Sequence, residues 1–522
     1  MAATTGSLPA VGILTATPAR GRHAAAVIGV AAKGRPTLPP PWLDAAGRKR
    51  LQRAARLFPK GSKAGALVGP VPGLGPDGTP GYLLRLPGGG EAAGWGNGAA
   101  EALGETVARR LAADGHAAVL LVLAAGGSGG KGAADRLARL LLGAALAGYR
   151  FDYRTRARPT DPVPLGRIDL LAPGAAAVAR CWAGLQSDLA GIAFARDLVN
   201  EPGNRLYPAS LAGRIARRLK PLGVAVEILG PAALRRLGMG ALLAVGGGSA
   251  RKPRLVVMRW PGRARKRAGN GAPVALVGKG VTFDTGGVDI KPAARMEEMK
   301  GDMAGAAAVA GTMLALAMRR DAHAVVGIVP LVENMPSGAS YRPGDVVRAY
   351  DGRTIEIIDT DAEGRLILAD ALAYSAKRFR PRAIVDMATL TGSVIAALGH
   401  LYAGIFSNDE TLAASLVAAG RPVGERLWRL PLDPDYEAHL KSDIADIRQV
   451  APDGESADAV HAAQFLRGFV DGTPWAHLDI AGVGYLRDEG RRGASGFAVR
   501  LLTGWLSRPV PAGRGGTGRR AA

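Results

Sequence analysis

Two short stretches of the chain carry residue types that can do chemistry at a spacing that could bring them together. In VGKGVTFDTGGVDIKPAARMEEMKGD, Val277 to Asp302, the charged residues Lys279, Asp284, Lys291 and Asp302 stand around an apolar, glycine-rich run. Such charges are costly to bury unless they satisfy one another or a cation. In DTDAEGRL, Asp359 to Leu366, Asp361 and Glu363 lie two apart, so an extended backbone would turn both carboxylates to one side, with Gly364 and Arg365 following. Taken singly, each residue has a plainer reading: Asp302 as a helix N-cap, Lys291 as a surface charge, Glu363 and Arg365 as a local ion pair. Taken together, three aspartates, one glutamate and one lysine can supply two divalent metals with oxygen-rich shells. The other lysine and the arginine then offer positive charge to a developing oxyanion, the requirements of metal-assisted hydrolysis.

The rest of the composition narrows the metal chemistry to carboxylates. Only seven histidines occur, none in a His-Glu-x-x-His pair, and the one cysteine, Cys181, excludes an internal disulfide or a cysteine-based metal site and points to a reducing compartment.

The elements that must position these groups are those of an α/β protein. Runs rich in Val, Leu and Ile alternate with longer Ala- and Leu-rich segments, and 48% hydrophobic with 21% charged residues is ordinary for a folded chain of 522 residues, long enough for two domains. Strands are expected at Ala25–Val30 and Ala117–Leu123, and helices at Ala45–Leu57, Ala99–Asp114, Ala133–Gly148 and Ala176–Leu198. Further strands are expected at Leu255–Arg259, Val274–Val277, Ala324–Pro330, Thr354–Ile358 and Ala383–Met387. The strand Val274–Val277 ends just before Lys279, at the carboxyl end where open α/β sheets place their sites. No apolar run reaches the roughly 18 residues of a membrane helix. The nearest, Met303–Met318, is uncharged and dominated by Ala and Gly, and reads as a buried helix. The apolar run Ala24–Ala32 is broken by Gly29 and reads as a first strand rather than a leader. The domain division expected is a smaller N-terminal α/β domain over 1–165, a linker and connecting helix over 166–190, a catalytic domain over 191–508 and a disordered Gly- and Arg-rich tail over 509–522.

Two other signals compete with these. Gly126-Gly127-Ser128-Gly129-Gly130-Lys131 carries fragments of a nucleophile elbow and of a phosphate loop, but Ala125 and Gly132 break the loop pattern, and a flexible connection is the better reading. Lys plus Arg at 67 against Asp plus Glu at 44 gives a net charge of +23, with local clusters at Arg48-Lys49-Arg50 and at Arg263, Arg265, Lys266 and Arg267. A solvated basic surface is preferred to nucleic-acid binding, because aromatics at 5% leave few stacking platforms.

The two chemical segments closely resemble the leucyl aminopeptidase family, the two-metal cytosolic exopeptidases of peptidase family M17. The family signature Asn-Thr-Asp-Ala-Glu-Gly-Arg-Leu is matched except at its first position, where this chain has Asp359. Further resemblance lies in RDLVNEPGNRLYP (Arg196–Pro208), ATLTG (Ala388–Gly392), FSND (Phe406–Asp409), WAHLDIAGVG (Trp475–Gly484) and GASGFAVRLLTGWL (Gly493–Leu506), and more loosely in LLGAALAGYRFDYRT (Leu141–Thr155). The resemblance implies a larger C-terminal domain with a mixed central sheet and a metal-dependent aminopeptidase that removes one N-terminal residue at a time by a two-metal-activated water. It implies that Lys279, Asp284, Asp302 and Glu363 bind the tighter ion and Asp284, Asp361 and Glu363 the more exchangeable one. Lys291 would stabilise the oxyanion and Arg365 would hold a bicarbonate that moves protons, while Met299, Thr389, Leu390 and Gly392 match positions around the substrate. Zinc or manganese, a cytoplasmic homohexamer and peptide substrates with a free N-terminus are the remaining implications. Asp359 either raises metal affinity or shifts the pKa of the bound water. The competing class is an architectural or sequence-specific DNA-binding protein, as a second or main role, which the basic clusters keep open.

Overall fold

The computed structural model describes residues 7–16, 21–30, 40–59, 62–63, 65–86, 97–123, 132–156, 163–262, 272–452, 457–488 and 491–508. The Gly126–Lys131 motif, the Arg263–Arg267 cluster and the tail beyond 508 lie outside the described residues. The chain divides into two compact units, Met1–Leu189 and Ala190–Ala522.

The first unit runs β1 (Ala10–Leu14), β2 (Ala25–Val30), α1 (Ala45–Ala54), β3 (Leu67–Val71), β4 (Gly81–Arg85), α2 (Asn97–Ala113), β5 (Ala118–Val122), α3 (Ala133–Ala147) and β6 (Arg167–Leu171). Its sheet has the order β1-β6-β5-β2-β4-β3, parallel throughout except that β3 runs against β4. The helices expected here form close to their expected bounds, because their apolar residues recur at helical spacing. Leu137, Leu140, Leu141 and Ala144 of α3 are buried in one cluster with Val119 and Leu121 of β5. The linker expected over 166–190 is corrected at its start: Arg167–Leu171 is β6, paired on both sides within the sheet. A charged residue in RIDLL disguises the strand, although Asp169 is fully buried and accepts from His23 Nε2 at 2.8 Å and Arg167 Nε at 2.8 Å.

Helix α4 (Ala175–Asn200) holds residues of both units. The second unit continues with α5 (Pro208–Leu219), β7 (Ala225–Leu229), α6 (Pro231–Leu237), α7 (Gly240–Val245), β8 (Arg254–Trp260), β9 (Val274–Gly278), β10 (Gly280–Asp284), α8 (Ala304–Met318), β11 (Val325–Asn334), β12 (Val346–Arg348), β13 (Thr354–Glu356) and α9 (Glu363–Phe379). It closes with β14 (Ala383–Ala388), α10 (Gly392–Leu398), β15 (Ala403–Ser407), α11 (Glu410–Gly420), β16 (Leu427–Arg429), β17 (Ile447–Arg448), α12 (Asp458–Arg467), β18 (Trp475–Asp479), the hairpin β19 (Tyr485–Asp488) and β20 (Arg491–Ala494), and α13 (Val499–Leu506). The central sheet is mixed, in the order β16-β15-β18-β14-β9-β11-β8-β7, with β10 added to β11. Strands β18, β14, β9 and β11 run parallel, so their carboxyl ends share one edge.

Helices cover both faces of this sheet. On β9, Ala275 and Val277 join the cluster that contains Leu366, Leu368 and Leu372 of α9. The alternating residues Val274 and Leu276 point to the other face, where α8 packs on β9, β11 and β14. Helix α8 is apolar all round and all but its last residue is buried, as a uniformly apolar sequence requires. The stretch Met296–Met318 is long and apolar enough to cross a membrane, but 94% of its most apolar window is buried inside the protein, which makes it a core helix.

Asp370 on α9 ties the layers together. Its carboxylate, fully buried, accepts from Leu242 N at 2.8 Å and Tyr350 N at 2.7 Å. Burial raises its pKa to about 7 against these two donors, so between about pH 4 and 7 the folded chain keeps a proton that the unfolded chain has released. Stability from this group is therefore highest at low pH and declines as pH rises through the folded value. Asp370→Ala should cost about 2–4 kcal/mol near pH 5, where two buried amides lose their acceptor, and less near pH 8. Urea unfolding at both pH values checks this, and equal costs would show that Asp370 does not hold the proton.

Candidate active site

The carboxyl edge of the parallel strands gathers the charged residues of both segments. Lys279 lies between β9 and β10, and Asp284 is the last residue of β10. Asp302 ends a 3-10 turn, Met296–Gly301, rather than capping α8, whose N-cap is Met303 without a side-chain bond. Asp361 and Glu363 do not share an extended strand, as their spacing suggested: Glu363 opens α9, and a turn at the helix start brings the two carboxylates together. One ligand oxygen each from Asp284, Asp361 and Glu363 lies within 4.8 Å of the others.

The two lysines thread this cluster. Lys279 Nζ stands 2.9 Å from Asp302 Oδ2 and 2.7 Å from Glu363 Oε1, and donates to Thr389 O at 2.9 Å. Lys291 Nζ is 2.8 Å from Asp284 Oδ2 and also touches Asp361 Oδ1. Lys291 is thus no free surface charge, and Glu363 pairs with Lys279 instead of Arg365. Two glycines make room. Gly286 takes φ 88°, and a Cβ there would lie 2.2 Å from Asp289 O. A Cβ on Gly364 would sit 2.8 Å from the end of the Lys279 side chain.

Four carboxylates face two amines in a largely buried setting, and three of them are held above the ordinary carboxylate range. Burial, then repulsion from Asp284, raises the Asp361 pKa to about 7 despite Lys291. Burial raises Asp302 well above the carboxylate range against the pull of Lys279, with Glu363 and Asp284 adding to the rise. Glu363 is raised by burial and by Asp284. Burial works against the charge on Lys279, yet Asp302, Glu363 and Asp284 outweigh it and hold the amine above its ordinary value; Lys291 is held up in the same way by Asp284, Glu363 and Asp361. Three carboxylate oxygens, Asp302 Oδ2, Asp361 Oδ1 and Glu363 Oε1, are buried and are met, among the described residues, by the two lysine amines alone. A donor set of buried, incompletely satisfied oxygens beside one buried amine fits divalent cations.

Around the cluster opens a cavity of ≈ 750 Å³. Met299, Thr389, Leu390 and Gly392 all line it, as do Lys279, Asp284, Lys291, Asp302, Asp361 and Arg365. Thr389 Oγ1 donates to Asp302 Oδ1 at 2.6 Å, and Asp479 accepts from Leu390 N at 3.2 Å and Thr391 Oγ1 at 2.7 Å, which fixes the loop after β14. Arg365 is buried. Its Nη1 donates to Gln449 O at 2.9 Å and its Nη2 to Asp458 Oδ1 at 2.6 Å.

Several supporting residues carry no mark in the local sequence. Asn334 Nδ2 donates to Asp284 Oδ1 at 2.9 Å and to Thr360 O at 3.0 Å. Gln449, fully buried, accepts from Ile358 N at 2.7 Å and donates to Asp359 O at 2.7 Å and Ala362 O at 3.2 Å, clamping the turn that carries Asp361. Asp359 Oδ1 accepts from Asp361 N at 2.7 Å, a turn-closing bond that one oxygen suffices to make, and burial raises its pKa. Asn334, Gln449 and Asp458 stand far along the chain from the groups they hold, and no spacing rule would have found them.

Comparison with known proteins agrees with this geometry. Residues 193–503 match the model of the cytosol aminopeptidase family, catalytic domain. A probable cytosol aminopeptidase of Rhizobium rhizogenes is 49% identical over 411 residues, covering 77% of this chain and 80% of the relative. One of Caulobacter vibrioides is 49% identical over 374 residues, 71% of this chain and 75% of the relative. Among solved structures, the bottromycin maturation enzyme BotP in complex with Mn superposes with a TM-score of 0.76 at 34% identity, covering 93% of this chain and 99% of that one. With a family match across most of the second unit and a buried carboxylate cluster suited to cations at the carboxyl edge of its sheet, the chain belongs to the cytosol aminopeptidase family and is a metal-dependent aminopeptidase.

Proposed function

We propose that the enzyme holds two divalent ions in this cluster and hydrolyses the first peptide bond of substrates with a free N-terminus. The observation that carries the reading is the set of buried carboxylate oxygens that only two lysine amines face among the described residues. Lys279, Asp284, Asp302 and Glu363 would hold the tighter ion, and Asp284, Asp361 and Glu363 the more exchangeable one, with Asp284 and Glu363 shared. Bound there, the ions would polarise the scissile carbonyl and acidify a water for attack. Lys279 coordinates only as a neutral amine, so its proton must leave as the cations arrive. Lys291 keeps its charge and stabilises the oxyanion that forms on the scissile carbonyl. Met299, Thr389, Leu390 and Gly392 receive the N-terminal residue. The neighbour's manganese supports that metal here, while the oxygen-rich shell also accommodates zinc.

A cytoplasmic homohexamer is the assembly and place we assign, on the family resemblance, the relatives' name and the single cysteine. We keep the bicarbonate expected on Arg365: Nη1 and Nη2 each donate one of their two N–H groups within the chain, the buried Nε has no partner among the described residues, and the residue lines the cavity, so the guanidinium retains donors for an anion. No observation favours the DNA-binding alternative, whose strongest cluster lies outside the described residues.

Glu363→Ala should abolish peptide hydrolysis and lower bound metal, measured by elemental analysis of the purified protein; full turnover in a metal-loaded Glu363→Ala enzyme would sink the two-ion assignment. Lys291→Ala should keep its metal and lower kcat by about a hundredfold or more, the scale of losing an oxyanion donor. Loss of metal from Lys291→Ala with retention in Lys279→Ala would reverse the two lysine roles.

A further inference from the structure

The charge balance of the active-site cavity is uneven outside the cluster. Besides Asp284, Asp302 and Asp361, three acidic residues line it among the described residues: Glu298, Asp359 and Asp458. Two of them are answered by arginines. Arg487 donates to Glu298 Oε2 through Nε at 3.1 Å and Nη2 at 3.0 Å, and Arg365 Nη2 donates to Asp458 Oδ1 at 2.6 Å. Asp359 has no such partner among the described residues. Its Oδ1 accepts from Asp361 N at 2.7 Å, and the cations that act on it through space, Lys291 and Arg365, are paired with other carboxylates. Asp359 is also the position at which the chain departs from the family signature.

The wall around Asp359 is otherwise apolar. Gln449 accepts from Ile358 N at 2.7 Å and donates to Asp359 O at 2.7 Å, which brings the segment after it, Val450, Ala451 and Pro452, beside Ile358 and Asp359, and all five line the cavity. An apolar wall with one carboxylate suits a side chain that buries a methylene stem and carries a cation at its end. The order of contacts along the cluster tells which substrate residue that is. At one end Thr389 Oγ1 donates to Asp302 at 2.6 Å, and Lys279 Nζ then spans Asp302 and Glu363 at 2.9 and 2.7 Å. Lys291 Nζ spans Asp284, at 2.8 Å, and Asp361, whose amide meets Asp359 at the other end. With the N-terminal residue at the Thr389 end and the scissile carbonyl over the cluster, the peptide beyond the scissile bond runs toward Asp359.

We propose that Asp359 gives the enzyme a preference for lysine or arginine as the second residue of the peptide, the one released with a new free amine. The inference rests on the aminopeptidase reading above. The ammonium or guanidinium of that residue supplies the cation that Asp359 lacks within the chain. Oδ1 closes the turn before Asp361, which leaves Oδ2 to accept from the substrate. The carboxylate is half-buried, so the attraction is screened less than it would be on an open surface. A neutral second residue leaves the charge unanswered, and an acidic one is repelled by it.

The experiment uses the manganese-loaded enzyme and amidated dipeptides, so that no terminal carboxylate competes for the cation. Leucyl-argininamide is compared with leucyl-citrullinamide, which has nearly the same shape without the charge. The wild type should favour the arginine compound by about tenfold in kcat/KM, the scale of a hydrogen bond to a charged group, with the difference mainly in KM. The ratio should shrink as sodium chloride is raised. Asp359→Asn keeps an acceptor for the Asp361 amide and should bring the ratio close to one at a metal content equal to wild type. A purely structural role for Asp359 would change both rates together and leave the ratio alone. A wild type that treats the two compounds alike, or an Asp359→Asn enzyme that keeps the wild-type ratio, overturns the proposal. So does a preference for arginine over citrulline in the first residue instead of the second, and these wild-type comparisons decide it even if Asp359→Asn loses its metal. A manganese-loaded wild type that cleaves none of these amides overturns the underlying functional reading instead.

Discussion

The structure of the second unit turns on one electrostatic imbalance: four carboxylates and two amines are held together out of water, and the amines do not neutralise the acids. Asp302, Asp361 and Glu363 are pushed toward their protonated forms by burial and by their carboxylate neighbours. A folded chain keeps such a cluster only when the surrounding structure over-determines it. The over-determination is visible. The carboxyl ends of β9 and β10 set Lys279 and Asp284, the loop after β14 holds Asp302 through Thr389, and the start of α9 sets Glu363. These positions depend in turn on the apolar layers: α8, built almost wholly of small and aliphatic residues, packs on β9, β11 and β14 and holds the sheet edge in register.

Close approach is the second constraint. Lys279 reaches Glu363 by passing over Gly364, and any side chain at 364 would meet the lysine methylenes and amine at 2.8 Å. Gly286 plays the corresponding part in the turn after Asp284, where its left-handed backbone lets Thr360 Oγ1 donate to Gly286 O at 2.6 Å and link the two segments. The Gly-rich character of both segments is therefore a packing requirement of the charges beside them.

The sequence made part of this legible, and the division follows locality. Helices α2, α3 and α4 and the strands β2, β9 and β14 were readable because each is a run of apolar residues with a clear period, and their bounds fall within a few residues of the expected ones. Strands β1 and β6 were missed because five-residue strands with half-buried ends, or with a buried aspartate, carry no such period. In the site, Lys279 through Asp302 and Asp359 through Arg365 were readable as two contiguous segments. That the two segments share one site followed from the family signature they resemble, with the cost of burying charge as its physical reason. Asn334, Gln449 and Asp458 were not readable, because Asn334 meets Asp284 across |i−j| = 50 and Arg365 meets Gln449 and Asp458 across 84 and 93 residues. Only the closed sheet brings these partners together.

Those distant partners also set Arg365 in place. Its side chain is 3% exposed, and Nη1 donates to Gln449 O while Nη2 donates to Asp458 Oδ1. A buried guanidinium short of acceptors is costly, so these two contacts are part of what lets the signature turn fold with a cation inside it. Asp458 is itself anchored where α12 begins, beside the Ala459 amide that donates to Ser393 Oγ. Its contact with Arg365 must form across 93 residues, which ties the placement of the guanidinium to correct closure of the whole unit rather than to the two signature segments alone.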